Sequence, residues 1–148
     1  MIDPAVRIAV LERCAEYAHT LDDGLVDQWA ECFTAEGRLE TSRPLAVEGR
    51  KNLVEFGRLW LAAQPGQTRH CSWHHQLSED GVRIRSRSSA ALMQTTESGV
   101  SILFTATYRD LFGVEDGAWR IVERHVAMDQ PGRLQALGGP APRPRVVD

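Results

Sequence analysis

The chain has 148 residues, of which 43% are hydrophobic and 25% charged, and its formal net charge at neutral pH is -3. This length and composition are typical of one globular domain and exclude disordered, collagen-like and coiled-coil proteins. The negative charge does not favour a nucleic-acid partner, and no apolar run reaches the roughly 20 residues that a bilayer-spanning helix requires, so we expect no membrane partner.

The opening sequence and the cysteines indicate the compartment. Charged residues occur too early and too often in MIDPAVRIAVLERCAEY for a signal peptide. Three cysteines (Cys14, Cys32 and Cys71) are an odd number without CxxC spacing, so no disulfide framework is expected. We therefore predict a cytoplasmic protein.

The first predicted helix has a clear start and a clear end. Asp3 is a favoured N-cap, Pro4 is tolerated at the first helical position, and Gly24 ends or kinks the helix. Four apolar residues recur at helical spacing along it: Ile8, Leu11, Ala15 and Ala18. Asp22 falls on the same stripe, where the pattern predicts a core residue. A carboxylate at such a position is a candidate functional group.

Two further helices and a short strand complete the first half of the chain. The second helix is predicted at Leu25–Phe33 and the third at Arg50–Ala63, where Pro65 and Gly66 stop it. Between them, the sequence AEGRLET predicts a turn and a short strand.

After Gly66 the hydrophobic period becomes that of strands. Four strands are predicted: Thr68–Ser78, Val82–Thr95, Val100–Phe112 and Trp119–Met128. The intervening sequences SEDG, ESG and VEDG suit hairpins, so these strands form an antiparallel meander. We predict an α+β domain at residues 1–130, with three helices on a curved antiparallel sheet, and a Pro, Gly and Arg-rich tail at 131–148 that lies on the surface or on a neighbouring subunit.

Three segments resemble the NTF2-like superfamily, in particular its SnoaL-like and scytalone-dehydratase-like branch. They are YAHTLDDGLVDQWAECFTAEGRLE, the segment TRH at Thr68–His70, and the ending GAWRIVERHVAMD. The resemblance implies a cone-shaped fold with an interior pocket, and it implies that His70 is paired with Asp22. Because this fold carries many reactions and also non-catalytic subunits, the resemblance specifies the fold better than the reaction.

The implied pair has a definite chemistry. A buried carboxylate fixes the tautomer of an imidazole, and the other ring nitrogen then accepts a proton from substrate. We interpret His70 as the general base and Asp22 as its orienting partner, without a cofactor. The alternatives are that Asp22 only caps a helix end and that His70 is an ordinary core or pocket histidine.

Other residues are secondary candidates for substrate binding. The Tyr17 hydroxyl could orient a substrate, and Trp29 could contact it, although packing is the competing role for both. The resemblance implies a cationic group at Arg124, for which a salt bridge on the sheet face is the alternative. Strand parity leaves open whether Arg124 or His125 faces the pocket. His74 is either a second pocket base or a surface residue, and the family often has Asn there.

Neither metal nor nucleic acid is predicted as a ligand. His70 and His74 are four residues apart on a strand, about 13 Å, which is too far for both to bind one ion. The alternating arginines of VRIRSR at 82–87 form a basic strand face, but no aromatic residues are interleaved with them.

We therefore predict an enzyme that dehydrates, isomerises or cyclises a small apolar, cyclic or polyketide-like substrate. Two alternatives remain from other classes: a non-catalytic β subunit of a ring-hydroxylating dioxygenase, which LDDGLVDQWAECFTAEGRLE also resembles, and a small-molecule-binding module. Uncovered apolar strand faces predict a homodimer.

Overall fold

A computed structural model of the chain describes residues 1–43 and 45–130, so the predicted tail at 131–148 lies outside the described residues. The helices are α1 (Pro4–Asp22), α2 (Val26–Glu31) and α3 (Arg50–Ala62). The strands are β1 (Phe33–Thr41), β2 (Leu45–Glu48), β3 (Gln67–Asp80), β4 (Arg83–Thr96), β5 (Gly99–Glu115) and β6 (Ala118–Met128). The three helices and the four long strands match the predicted elements within a few residues at their ends.

The strands form one curved, unclosed sheet in the order β2-β1-β6-β5-β4-β3. The strands β3 to β6 form the predicted antiparallel meander. The strand β1 adds to β6 in parallel, with Phe33 opposite Ile121, and β2 pairs with β1 in antiparallel orientation. Neither β2 nor the parallel pairing was predicted, because a four-residue strand and a long-range partner leave no local pattern.

The buried face of α1 differs from the predicted stripe. Ile8 is 60% exposed and Ala15 is also exposed, whereas the face toward the sheet carries Val10, Cys14, Tyr17 and Leu21. The side chains of this second stripe are larger than those of the predicted stripe, which contains two alanines. Turning the second stripe toward the sheet therefore buries more apolar area. Asp22 is nevertheless buried, because it lies at the end of the helix against β3.

The second helix is shorter than predicted because its last apolar residue belongs to the sheet. Phe33 is fully buried at the start of β1, whereas Leu25 is an exposed N-cap. Close packing of α2 on α3 depends on Gly57. A Cβ atom there would lie 2.8 Å from Cγ1 of Val26 and 3.1 Å from Cζ3 of Trp29.

The long strand β3 contains a β-bulge at its centre. The register with β4 shifts between Trp73 and Gln76, and His74 has a φ of 57°. A bulge changes which face the following side chains occupy. It therefore separates the first part of β3, which contains His70, from the exposed second part.

Candidate active site

The end of α1 is joined to the start of β3 by hydrogen bonds on both sides of Asp22. The Gln67 side chain donates to the Asp22 carbonyl oxygen at 2.8 Å. The Thr68 hydroxyl donates to Asp22 Oδ1 at 3.1 Å, and the His70 backbone N–H donates to Oδ2 at 2.7 Å. Because β3 is an edge strand, this backbone N–H has no neighbouring strand to bond, and the carboxylate takes that place.

The same carboxylate holds the imidazole of His70. The Nδ1 atom of His70 lies 2.7 Å from Oδ1 of Asp22, and the two side chains are 9% and 3% exposed. A carboxylate only accepts hydrogen bonds, so Nδ1 carries the proton and Nε2 has a free lone pair. The Nε2 atom forms no hydrogen bond with any residue in the described ranges, and His70 borders a cavity. The arrangement is thus an oriented group that can accept a proton.

Aromatic rings hold the imidazole from two sides. The Trp60 ring centroid is 5.3 Å from that of His70, and the Tyr17 ring meets the imidazole edge to face at 6.2 Å. These contacts restrict the orientation of the imidazole ring.

The cavity beside His70 has a volume of about 250 Å³. Most of its wall is hydrophobic or aromatic, formed by Leu21, Leu39, Leu45, Phe56, Trp60, Leu92, Phe104, Val126 and Met128. The remaining lining residues are polar or charged: Tyr17, Thr41, Arg43, His70 and Tyr108. A concave apolar site with a few convergent polar groups is typical of small-molecule binding.

Behind the cavity, Arg124 is buried in an ion pair. Its Nε and Nη2 atoms donate to the two oxygens of Asp110, both at 2.8 Å, and the side chains are 2% and 0% exposed. The guanidinium carbon lies 4.0 Å from the Tyr17 ring centroid and 4.6 Å from that of Tyr108. Arg124 therefore forms a salt bridge, the alternative considered for it from the sequence, and its partner is the buried Asp110.

Burial and charge change the pKa values of this group. Burial alone would lower the pKa of Arg124, but the Asp110 carboxylate outweighs it and raises that pKa above its ordinary value. Burial raises the pKa of Tyr17 and of Tyr108, and the Arg124 cation only partly opposes this. Both phenols therefore stay protonated at neutral pH, as hydrogen-bond donors.

Besides Arg124, which lies behind the cavity wall, two more of the predicted binding residues do not line the cavity. Trp29 is fully buried and packs between Tyr17 and Phe56, so its position supports the packing alternative. His74 is exposed at the bulge of β3, so it has the surface position rather than that of a second pocket base. Packing in the core and the change of face at the bulge account for both outcomes.

The parity of β6 is settled by burial. Arg124 is buried toward the helices, whereas His125 faces the other side of the sheet. There it borders a larger hollow of about 550 Å³, together with Arg85, Arg87 and Arg109. This hollow contains neither member of the His70–Asp22 pair.

Within residues 1–43 and 45–130, no group of three or more His, Cys, Asp or Glu side chains is arranged to hold a metal ion, and no helix is long and apolar enough to span a membrane.

The polar groups around His70 were only partly predictable. Thr68 is in the TRH segment but was not singled out as a ligand of Asp22, because its role depends on the approach of α1. Tyr108 and Asp110 alternate along β5 and therefore lie on the same face of the sheet. This spacing was the available signal that both polar side chains point toward the helices. Trp60 carries the helical pattern of a core residue, and only the fold places it against the imidazole.

The sequence model of the SnoaL-like domain family matches residues 5–125 of the chain. The chain therefore belongs to the SnoaL-like family. The fold is the NTF2-like, cystatin-like fold that its structural neighbours share. None of the curated proteins matches the sequence.

Three solved structures illustrate the similarity. One is a single-residue variant of Rv3472, a protein of unknown function from Mycobacterium tuberculosis, with 26% identity, a TM-score of 0.80, and coverage of 86% of this chain and 79% of that one. A structure from Catenulispora acidiphila in complex with S-DNPA has 24% identity and a TM-score of 0.80, and covers 90% and 99% of the two chains. The β subunit of a putative aromatic-ring-hydroxylating dioxygenase from Novosphingobium aromaticivorans has 19% identity and a TM-score of 0.73, and covers 85% and 90%.

Proposed function

We propose that the chain is a cofactor-independent enzyme in which His70 is the general base and Asp22 its orienting partner. The observation that carries this proposal is the 2.7 Å contact between Nδ1 and Oδ1, with Nε2 left free at the border of an apolar cavity. The proposed reactions are elimination of water, isomerisation or cyclisation, because each begins when a base removes a proton from an activated C–H or O–H bond.

In the proposed mechanism, Nε2 of His70 removes a proton from the carbon next to a substrate carbonyl, and the C–H electron pair forms an enolate. Asp22 stabilises the imidazolium that results. In a dehydration, the enolate electrons expel a β-hydroxyl, and His70 returns the proton to it, so that water leaves. In an isomerisation, His70 returns the proton to a different carbon of the same conjugated system.

The two tyrosines are proposed to bind the substrate carbonyl. Tyr108 borders the cavity, and its hydroxyl forms no hydrogen bond with a residue in the described part of the chain. As a neutral donor it would stabilise an enolate oxygen. Arg124 lies behind both phenol rings and is proposed to position them rather than to touch substrate.

A proton-exchange experiment tests the base without knowledge of the natural substrate. The probe is 2-tetralone, an apolar bicyclic ketone with acidic C–H bonds, in deuterated buffer, and NMR measures the exchange rate. We expect catalysed exchange by the wild type and a loss of at least about 100-fold in His70→Asn. His125→Asn, on the other face of the sheet, is the matched control. Equal exchange rates for His70→Asn and wild type would refute the assignment.

The non-catalytic alternative has one supporting observation, the shared fold of the dioxygenase β subunit. It predicts a stable complex with a catalytic α subunit, and it predicts no exchange of the ketone probe. Isolation of such a complex together with the absence of exchange would favour a subunit over an enzyme. Ligand binding without exchange and without a protein partner would favour a binding module.

We further propose that the chain forms a homodimer through the face of the sheet that points away from the helices. Trp73 is 40% exposed on this face, and Ile102 of β5 is 63% exposed. Exposed large apolar side chains favour association. Sedimentation of the wild type should give the mass of a dimer and that of Trp73→Glu the mass of a monomer, and a monomeric wild type would contradict the proposal.

A further inference from the structure

The mouth of the cavity carries one positive charge. Among the described residues that line the cavity, Arg43 is the one whose side chain is permanently charged. It lies in the turn between β1 and β2 and is exposed, as is the neighbouring Leu45 at 37%, so this end of the cavity opens to solvent.

The Arg43 backbone is held by hydrogen bonds, whereas its side-chain charge has no partner among the described residues. Its carbonyl oxygen accepts hydrogen bonds from the Thr41 hydroxyl and from the Leu45 N–H, both at 2.5 Å. The guanidinium has no hydrogen bond or ion pair with a residue in the described ranges. By contrast, Arg38 of β1 is half-buried and forms ion pairs with Glu40 and Glu48. An arginine that has no carboxylate partner in the described part of the chain, at the mouth of an apolar cavity, is suited to bind an anionic group of a ligand.

The position of Arg43 relative to His70 limits the shape of that ligand. His70 lies on the edge strand β3, whereas Arg43 follows β1, and β4, β5 and β6 lie between them. Four strand spacings of about 4.8 Å give a path of about 19 Å across the strands, and the curvature of the sheet shortens the direct distance. A molecule that touches both residues is therefore elongated, with its reacting part and its anionic group at opposite ends.

The charge inside the cavity favours the same orientation. Asp22 is at the inner end, 2.7 Å from the imidazole, and would repel a ligand carboxylate placed beside His70. Among the described residues, the walls between the two ends are mostly hydrophobic or aromatic; Tyr17, Thr41 and Tyr108 are uncharged there, and none of the wall residues carries a positive charge. A carboxylate is therefore most stable at the mouth, where it keeps part of its hydration and meets the full positive charge of Arg43.

We propose that Arg43 selects substrates with a terminal carboxylate on an apolar, ring-containing body, and that it holds this carboxylate at the mouth while the opposite end meets His70. The inference rests on the proposed function only for the reacting end. Recognition of the carboxylate depends on the cavity and on Arg43 alone.

A matched pair of probes tests the inference by binding. The probes are 2-naphthylacetic acid and its uncharged analogue 2-naphthylacetamide, and isothermal titration calorimetry measures both dissociation constants. We expect the wild type to bind the acid about tenfold more tightly than the amide, the lower end of the range for a charged hydrogen bond because the site is open to solvent. Arg43→Met should abolish this preference, and added salt should weaken it. Arg87→Met, which removes an exposed arginine on the outer face, should retain it.

The binding measurements either support or overturn the role proposed for Arg43. Equal binding of acid and amide by the wild type, or a preference that survives Arg43→Met, would overturn the inference, as would the failure of both probes to bind. His70→Asn separates this proposal from the preceding one. Suppose that His70→Asn still prefers the acid to the amide, but exchanges 2-tetralone at the same rate as the wild type. The assignment of His70 as the base then fails, while the role of Arg43 stands.

Discussion

Replacement of Asp22 by Asn should invert the tautomer of His70 with little change in shape. The His70 backbone N–H can only donate, so it holds the amide oxygen at the position of Oδ2. The amide NH₂ group then faces Nδ1, which must become an acceptor, and the imidazole proton moves to Nε2. A base with a proton on its reactive nitrogen cannot accept another. We expect proton exchange of 2-tetralone to fall about 10³-fold, within the range for wrong-tautomer variants of oriented histidines.

The tautomer can be measured directly. Long-range ¹H–¹⁵N correlation spectra should give a protonated Nδ1 in the wild type and a protonated Nε2 in Asp22→Asn. Weaker hydrogen bonds to a neutral amide should lower the free energy of unfolding by about 2 kcal/mol, which leaves a folded protein. The matched control is Asp23→Asn, because Asp23 is exposed and pairs with Arg69 at 3.2 Å. An unchanged tautomer in Asp22→Asn, or an unchanged exchange rate, would refute the reasoning.

Three further predictions concern stability. Arg124→Met leaves Asp110 buried without its partner and should lower the free energy of unfolding by about 3–5 kcal/mol in urea titrations, whereas the double variant with Asp110→Leu should recover part of the loss. Gly57→Ala should lower the melting temperature despite the better helix propensity of alanine, because the added methyl group meets α2; an increase would contradict the close packing. The only two tyrosines of the chain, Tyr17 and Tyr108, have raised pKa values in the folded state, so their stabilising effect is complete below the unfolded pKa of about 10 and is lost as the pH rises above it. Ultraviolet absorbance of tyrosinate should therefore appear together with unfolding at alkaline pH, and ionisation in a still folded protein would refute this.

The sequence predicted the elements whose signals are local. The N-cap of α1 forms as expected, with the Asp3 carboxylate accepting from the Ala5 N–H at 2.7 Å. The change from helical to strand periodicity after Gly66 located the meander. Phe33 was assigned to the wrong element because its spacing from Trp29 fits a helix, and only pairing with β6 shows that it belongs to a strand.

Asp22 was correctly singled out as a candidate from the sequence, but the helical stripe used to find it is not the buried one. The stripe that indicated Asp22 lies on the side of α1 with the exposed Ile8. Asp22 is buried because β3 passes the end of the helix, which is a tertiary effect without a periodic signal. The family resemblance supplied His70. The partner of Arg124 lies directly opposite it in the β5–β6 hairpin, so the alternation of Tyr108 and Asp110 together with the hairpin register was a usable signal for it. The position of Arg43 depends on the pairing of β1 with the distant β6, for which the sequence contained no pattern.

The parallel pairing of β1 with β6 has a consequence for the order of folding. Its two strands are separated by most of the described chain, and pairings between such distant segments form slowly because the loop entropy is lost first. During synthesis the ribosome releases β6 after the other described strands, so the wall that Val126 and Met128 contribute is the last of the described cavity walls to form. The nascent chain therefore carries an incomplete apolar cavity until β6 has been synthesised, and in this interval it is most exposed to chaperones and to self-association.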